Sequence, residues 1–150
     1  MIDYIKGDLL SVKEGIIVHG CNSHGIMGAG VALAIKTKYP AAYYMSGYRL
    51  SEERKLGEIY WWDNEPLYIA NAITQKDFGR DGNRYVNYSA IAKAFYEVFE
   101  FAKHKMHKKI LDVHFPMIGA GLGGGDWEII EQIINDCDPD NEINKTCWVL

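Results

Sequence analysis

This sequence has no excess of basic residues. Lysine and arginine together number 16, against 20 aspartates and glutamates, which gives a formal net charge of −4. A long polyanion needs a strongly positive surface, so we expect no direct nucleic-acid binding. A small anionic ligand is not excluded, because backbone N–H groups and helix N-termini bind phosphate without basic side chains.

Paired cysteines are missing as well. Cys21, Cys137 and Cys147 are an odd number without C-x-x-C spacing, so we expect reduced thiols and neither a disulfide framework nor a zinc site. The sequence also contains no stretch long enough to span a bilayer and no signal-peptide core near its start. These features predict a soluble, cytoplasmic protein that does not bind membranes.

Repeats, linkers and biased tracts are absent too. A chain of 150 residues with 48% hydrophobic residues is long enough to bury one sizeable core. We therefore expect a single domain over residues 1–150 that acts as a monomer.

What the chain does contain is an alternation of short apolar runs with helical patterns. The predicted strands are Met1–Ile5, Glu14–Gly20, Leu56–Trp62, Leu67–Thr74, Ile110–Ile118 and Asn144–Leu150. The predicted helices are Val31–Lys38, Ala41–Arg54, Tyr88–His107 and Asp126–Asn135. The pattern indicates an α/β layered domain, and because the strands and helices do not follow a uniform βα repeat, a mixed sheet is favoured over a purely parallel one.

Two glycine-rich loops each leave a buried strand and open a helix. The first is Asn22–Gly30 and the second is Gly119–Gly125. Glycine lets the backbone approach a ligand closely, and the helix that follows supplies unpaired N–H donors. Turn chemistry explains one such loop equally well. Two of them at the carboxyl ends of strands, where open α/β sheets bind ligands, indicate one site for a diphosphate-containing ligand.

The second loop also matches a generic dinucleotide-binding pattern. Gly119, Gly121 and Gly124 satisfy G-x-G-x-x-G. That fold needs a further parallel strand and an acidic residue about 20 residues later, and here the chain has almost ended in an apparent turn near Glu142. The pattern G-x-x-x-x-G-K-[ST] does not occur, which argues against a P-loop enzyme.

Three segments resemble the macro domain family in the right order and spacing. Tyr4–Leu9 resembles the family's opening V-x-x-G-D-[IL], and Val18–Ala32 contains its N-x-x-G-x-M-G-x-G-[IV]-A loop. Pro116–Trp127 resembles its P-x-I-G-x-G-L-x-x-x-x-W loop. The segments extend over nearly the whole chain. The resemblance implies a three-layer α/β/α fold with a mixed central sheet.

The subgroup to which the chain is most similar contains ADP-ribose-1''-phosphate phosphatases and ADP-ribosyl-acceptor hydrolases. The resemblance implies ADP-ribose or ADP-ribose-1''-phosphate as the ligand, with Asp8 bound to the adenine amine and Asn22 near the distal ribose. Alternatively, Asp8 caps a turn after the first strand and Asn22 satisfies backbone groups of its own loop. The implied ligand-binding residues are Gly7, Asp8, Leu9, Cys21, Asn22, Ser23, Met27, Gly28, Ala29, Gly30, Val31, Thr74, Gln75, Ile118, Gly119, Ala120, Gly121, Leu122, Gly123 and Gly124.

Hydrolysis at the distal end of such a ligand needs an aligned water and stabilisation of developing charge. The catalytic candidates are Asn22, His24 and Asp126, and we expect no metal and no cofactor. His24 is of a residue type that often serves in acid–base chemistry, but a local hydrogen-bonding role explains it equally well. Asp126 could position water, but capping the next helix is the stronger explanation.

Three positions depart from the related enzymes. Gln75 and Gly123 stand where the acyl-ADP-ribose hydrolase branch has its lysine and aspartate, so a covalent lysine mechanism is not expected. Asn83 stands where some phosphatases have a histidine. The hypotheses are a phosphatase acting on ADP-ribose-1''-phosphate, which the loops favour, a non-catalytic ADP-ribose-binding module, and a hydrolase removing ADP-ribose from protein or nucleic-acid adducts.

Overall fold

The computed structural model describes residues 1–79, 83–105 and 108–150. The strands are β1 (Ile2–Lys6), β2 (Gly15–Asn22), β3 (Ile59–Asn64), β4 (Leu67–Gln75), β5 (Asp112–Phe115) and β6 (Asn144–Val149). The helices are α1 (Gly30–Lys38), α2 (Pro40–Tyr44), α3 (Tyr88–His104) and α4 (Trp127–Asp136), with a short 3₁₀ helix at Leu9–Ser11.

The strands form one mixed sheet in the order β1-β6-β5-β2-β4-β3. All neighbouring pairs are parallel except β3 and β4, which pair antiparallel at one edge. The predicted mixed sheet is therefore confirmed. Because β5, β2 and β4 are parallel neighbours, their carboxyl ends at Phe115, Asn22 and Gln75 lie along the same edge of the sheet.

Successive residues of β2 point to opposite faces of the sheet, and both faces are covered. Ile16 and Val18 pack with the buried residues of α3 and α4, whereas Ile17 packs with Ile35 of α1 and Ala42 of α2. This arrangement confirms the three-layer α/β/α architecture.

The predicted helix Ala41–Arg54 is wrong beyond its first turn, because α2 ends at Tyr44. Gly47 has φ +89, a left-handed conformation that a right-handed helix does not contain. Two strands are also shorter than predicted, since β3 begins at Ile59 and β5 covers only Asp112–Phe115. The predicted helix Tyr88–His107 is described as far as His104, and Met106 and His107 lie outside the described residues.

The three cysteines are free thiols, with Cys21 and Cys147 buried and Cys137 half-buried. Burial raises the pKa of Cys147 to about 12 and that of Cys137 to about 11. Burial likewise raises the pKa of Cys21. All three side chains are therefore neutral thiols at physiological pH.

His19 of β2 is buried in the sheet beside Asn71 of β4, with 2.5 Å between the His19 Nε2 and Asn71 Oδ1 atoms. The Asn71 amide nitrogen donates to the carbonyl oxygens of Ala42 and Tyr60. Its Oδ1 must then be the acceptor, which places the imidazole proton on Nε2. Burial lowers the pKa of His19 to about 4, opposed by the hydrogen bond to Asn71.

We predict that acidification destabilises the fold through His19. In the unfolded chain His19 binds a proton below about pH 6.5. In the folded chain it does so only when the pH falls to its lowered pKa of about 4. The free energy of unfolding should fall by about 3 kcal/mol across this window through His19 alone. Urea unfolding of the wild type and of His19→Leu at several pH values measures the difference, and parallel pH profiles for the two proteins would refute it.

Candidate ligand-binding site

A cavity of about 500 Å³ opens at the carboxyl edge of β5, β2 and β4. This volume is within the range of small-molecule sites, roughly 300–1,000 Å³. The lining residues come from the ends of these strands and from the loops that follow them. They are Gly20, Cys21, Asn22, Ile26, Gly28, Ala29, Gly30, Val31, Ala32, Thr74, Gln75, Phe78, Gly79, Pro116, Met117, Ile118, Gly119, Gly121, Leu122 and Gly123.

One side of the cavity is the uncapped N-terminus of α1. The N-cap residue Ala29 makes no side-chain hydrogen bond, and the first backbone bond of the helix joins the Leu33 N–H to the Ala29 carbonyl at 3.2 Å. Among the described residues, no acceptor pairs with the N–H groups of Gly30, Val31 and Ala32. The helix therefore presents free donors and a partial positive charge to the cavity.

The other long helices are capped by their own side chains. The Asn87 side chain accepts a hydrogen bond from Ala90 at the start of α3, and the Asp126 side chain accepts one from Glu128 at the start of α4, both at 2.9 Å. The N-terminus of α1 thus differs from those of α3 and α4, because no side chain caps it where it lines the cavity.

The loop after β5 also lines the cavity. Some of its amides are used within the loop, since Ala120 donates to Met117, Gly124 to Gly121, and Gly125 to Gly119. In the part of the chain that the structure describes, no acceptor pairs with four other amides, all from residues that line the cavity. They are the N–H groups of Gly119, Gly121, Leu122 and Gly123. Two groups of free donors therefore belong to segments that line the same cavity.

The glycines of this second loop have two different roles. A Cβ at Gly123 would lie 2.7 Å from the Gly119 carbonyl oxygen, and one at Gly124, where φ is +70, would lie 2.4 Å from that of Asn83. A Cβ at Gly121 or at Gly30 would meet no atom of the described residues within 4 Å. The lack of a side chain at Gly123 and Gly124 permits tight packing of the loop. The lack of one at Gly121 and Gly30 leaves open space.

Exposed apolar side chains surround the cavity. Ile26, Phe78, Met117 and Leu122 all line it, and each is at least 40% exposed. None of the lining residues within 1–79, 83–105 and 108–150 is an Asp, Glu, Lys, Arg or His. An anionic group bound here would therefore be held by peptide dipoles, while apolar faces of the ligand would contact these four side chains.

The Asn22 side chain is occupied mainly by its own loop. Its Oδ1 accepts hydrogen bonds from the His24 and Ile26 amides at 3.0 and 3.4 Å and is 3.1 Å from the Tyr48 hydroxyl. Its Nδ2 donates to the Ile26 carbonyl at 2.9 Å. The carbonyl end is saturated, so Asn22 can offer a ligand only the second hydrogen of Nδ2.

The matching family model is that of the macro domain, and it covers residues 18–134. The chain belongs to the macro domain family. A 17.5 kDa protein of Enterobacteria phage T4 from the tk-vs intergenic region is 33% identical to this macro domain, over 99% of this chain and 97% of its own length. An ADP-ribose 1''-phosphate phosphatase of Candida albicans is 27% identical, over 92% and 94% respectively.

The solved macrodomain of Mycobacterium tuberculosis DarG has the same fold. It superimposes on the present macro domain with a TM-score of 0.80 at 25% identity, over 100% of this chain and 98% of that one. The expected family and architecture are confirmed. Within the described residues, no helix is long and apolar enough to cross a bilayer.

The structure brings most of the sequence-predicted ligand-binding residues of this macro domain to the cavity. Those that line it are Cys21, Asn22, Gly28, Ala29, Gly30, Val31, Thr74, Gln75, Ile118, Gly119, Gly121, Leu122 and Gly123. Those that do not are Gly7, Asp8, Leu9, Ser23, Met27, Ala120 and Gly124. Met27 is buried, and Ser23 bonds through its amide and hydroxyl to the Lys76 carbonyl.

Asp8 has the local role that the sequence left as an alternative. Its Oδ1 accepts a hydrogen bond from the Leu10 amide at 2.9 Å and caps the 3₁₀ helix. Its neighbour Gly7 packs against the Trp148 ring, 3.2 Å from where a Cβ would be. The opening segment therefore matches the family motif, but Gly7, Asp8 and Leu9 do not line the cavity. Contact between Asp8 and a bound adenine stays a prediction.

Two of the three catalytic candidates do not line the cavity. The His24 Nε2 is 2.8 Å from the Asp77 carboxylate, and both side chains are largely exposed. Asp126 is exposed and caps α4. Of the three, only Asn22 lines the cavity.

Sequence reasoning missed seven lining residues, namely Gly20, Ile26, Ala32, Phe78, Gly79, Pro116 and Met117. Five of them lie within the recognised motifs, so continuity along the chain could have indicated them: Gly20, Ile26, Ala32, Pro116 and Met117. Phe78 and Gly79 follow β4, and their position depends on β4 being the neighbour of β2.

We predict unequal stability effects for two nearby glycines of the second loop, Gly121 and Gly123. Gly123→Ala should lower the free energy of unfolding by about 1–3 kcal/mol, because its methyl group overlaps the Gly119 carbonyl. Gly121→Ala should change it by less than about 0.5 kcal/mol. Urea denaturation measures both, and equal losses would show that the loop packs differently.

Proposed function

We propose that this macro domain binds ADP-ribose in the cavity and hydrolyses ADP-ribose-1''-phosphate to ADP-ribose and phosphate. One observation carries the proposal: free backbone donors from the N-terminus of α1, from Gly119 and from residues 121–123 belong to the lining of one cavity whose described lining has no charged side chain. Such a lining suits a diphosphate, because amides bind phosphate oxygens through charge-assisted hydrogen bonds of roughly 1.5–3 kcal/mol each.

The remaining lining suits the rest of that ligand. Ile26, Phe78, Met117 and Leu122 offer apolar surface to a ribose or a base, and Asn22 offers one N–H donor. The printed name of the Candida albicans relative gives the phosphatase activity its specific support. Cofactors are not part of the proposed reaction.

The proposed reaction is attack of water on the phosphorus of the 1''-phosphate. The bond between phosphorus and the ribose oxygen breaks, the ribose oxygen takes a proton, and inorganic phosphate leaves with the oxygen of the water. Free amides aimed at the phosphoryl oxygens would stabilise the charge that develops there. Asn22 would contribute as a hydrogen-bond donor, since its Oδ1 is already engaged by the protein.

A second candidate function is ADP-ribose binding without turnover. It is favoured by the engagement of the three catalytic candidates: His24 pairs with Asp77, Asp126 caps α4, and the Asn22 carbonyl is saturated. None of them is placed as a free acceptor that would take a proton from water in the cavity.

We predict phosphate release when the protein is incubated with ADP-ribose-1''-phosphate. Phosphate assay measures turnover and calorimetry measures ADP-ribose binding. Gly121→Val should abolish both by filling open space beside the free amides, whereas Thr37→Val, on the exposed part of α1, should change neither. Binding of ADP-ribose without phosphate release would select the binding module, and no binding at all would overturn both candidates.

We predict that the affinity for ADP-ribose is nearly independent of pH between about 6 and 8. The pyrophosphate is ionised throughout this range, and Cys21, the titratable side chain among the described lining residues, stays neutral because burial raises its pKa. Calorimetry at several pH values tests this expectation. A tenfold change across the range would indicate that a titrating side chain contacts the ligand.

A further inference from the structure

Three side chains that follow α1 in the chain hold the first loop without lining the cavity themselves. The Tyr43 hydroxyl donates to the Gly25 carbonyl at 2.8 Å, and the Tyr48 hydroxyl donates to the Asn22 carbonyl at 2.8 Å. The Arg54 guanidinium lies against Gly25, where a Cβ would be 2.3 Å from its Nη2. The first loop is therefore held by α2 and by residues 45–54, the part of the predicted helix that is wrong.

Tyr48 differs from the other two because it also contacts the Asn22 side chain. Of the three donors around the Asn22 Oδ1, the His24 and Ile26 amides belong to the first loop and move with it. The Tyr48 hydroxyl comes from 26 residues away in the chain, and its single proton is shared between the Asn22 carbonyl oxygen at 2.8 Å and Oδ1 at 3.1 Å. It is thus the contact that fixes the orientation of the Asn22 amide relative to the rest of the fold.

The Tyr48 hydroxyl is held firmly as a hydrogen-bond donor. The residue is fully buried, and its ring packs edge-on against the rings of Tyr43 and Tyr60, with centroids 6.1 and 6.0 Å away. Burial raises the pKa of Tyr48, so its proton is retained at any physiological pH. A donor at this place favours the Asn22 orientation in which Oδ1 points into the loop and the second Nδ2 hydrogen is free.

We propose that Tyr48 is a positioning residue for ligand binding, which acts through Asn22 by keeping the free N–H of the Asn22 amide available to the ligand in the cavity. The inference rests on the proposed ADP-ribose binding and adds a residue that touches neither the cavity nor the ligand.

The test removes the hydroxyl and keeps the ring. Tyr48→Phe should weaken ADP-ribose binding about tenfold, the effect of losing one well-placed buried hydrogen bond. Tyr60→Phe is the matched control, because it removes a hydroxyl from the same aromatic cluster that bonds to Ser51 and not to the first loop. We expect Tyr60→Phe to bind like the wild type and the two variants to have similar urea midpoints.

A double-mutant cycle separates this role from general support of the loop. In the Asn22→Ala background, Tyr48→Phe should change ADP-ribose affinity by less than about twofold, because the residue through which it acts is absent. An equal loss in both backgrounds, or no loss in the wild-type background, overturns the proposal.

A measurement without ligand keeps this outcome distinct from failure of the proposed function. In the wild type, the Asn22 side-chain amide signals should be displaced from those of an unstructured asparagine, because Nδ2 donates to the Ile26 carbonyl in a fixed orientation. Tyr48→Phe should move them toward the unstructured values, and Tyr60→Phe should not. Unchanged signals in Tyr48→Phe refute the positioning role, whereas a wild type that shows the expected signals but binds no ADP-ribose refutes only the proposed function.

Discussion

The site depends on one constraint: in the segments that follow two neighbouring parallel strands, several backbone N–H groups have no partner within the described protein. Because β2 and β5 run side by side in the same direction, the chain leaves both at the same edge of the sheet. The first loop then opens α1 without a side-chain cap, and the second turns back on itself and leaves four amides free. A pair of antiparallel strands would have placed these loops at opposite edges.

Such a site is useful only if the loops keep their shape before a ligand arrives, since ordering them on binding would cost affinity. Both are held by contacts outside the cavity. The first bonds to Tyr48 and, through Ser23, to Lys76. The second is held by the Tyr85 and Val86 amides, which both donate to the Gly123 carbonyl. The polar groups of the two loops are thus divided between those that fix the backbone and those that face the cavity.

The sequence predicted the features that depend on local pattern. Buried β2 followed from its apolar run, the Asp126 cap from residue preference, and the two loops from glycines between a strand and a helix. What it could not predict involves partners far apart in the chain. Examples are the contact between the Tyr48 hydroxyl and the Asn22 side chain and the contact between His24 and Asp77, which is 53 residues away. The prediction of a helix is wrong over residues 45–54 because Gly47 and the contacts of Tyr48 and Arg54 to the first loop favour turns.

The protonation state of the native thiols has a practical consequence. Alkylating reagents react with thiolates, and burial keeps Cys21, Cys137 and Cys147 protonated. A cysteine introduced in place of the exposed Thr37 of α1 would be labelled in preference to all three. A fluorophore attached there would mark the protein without filling the cavity, which Thr37 does not line.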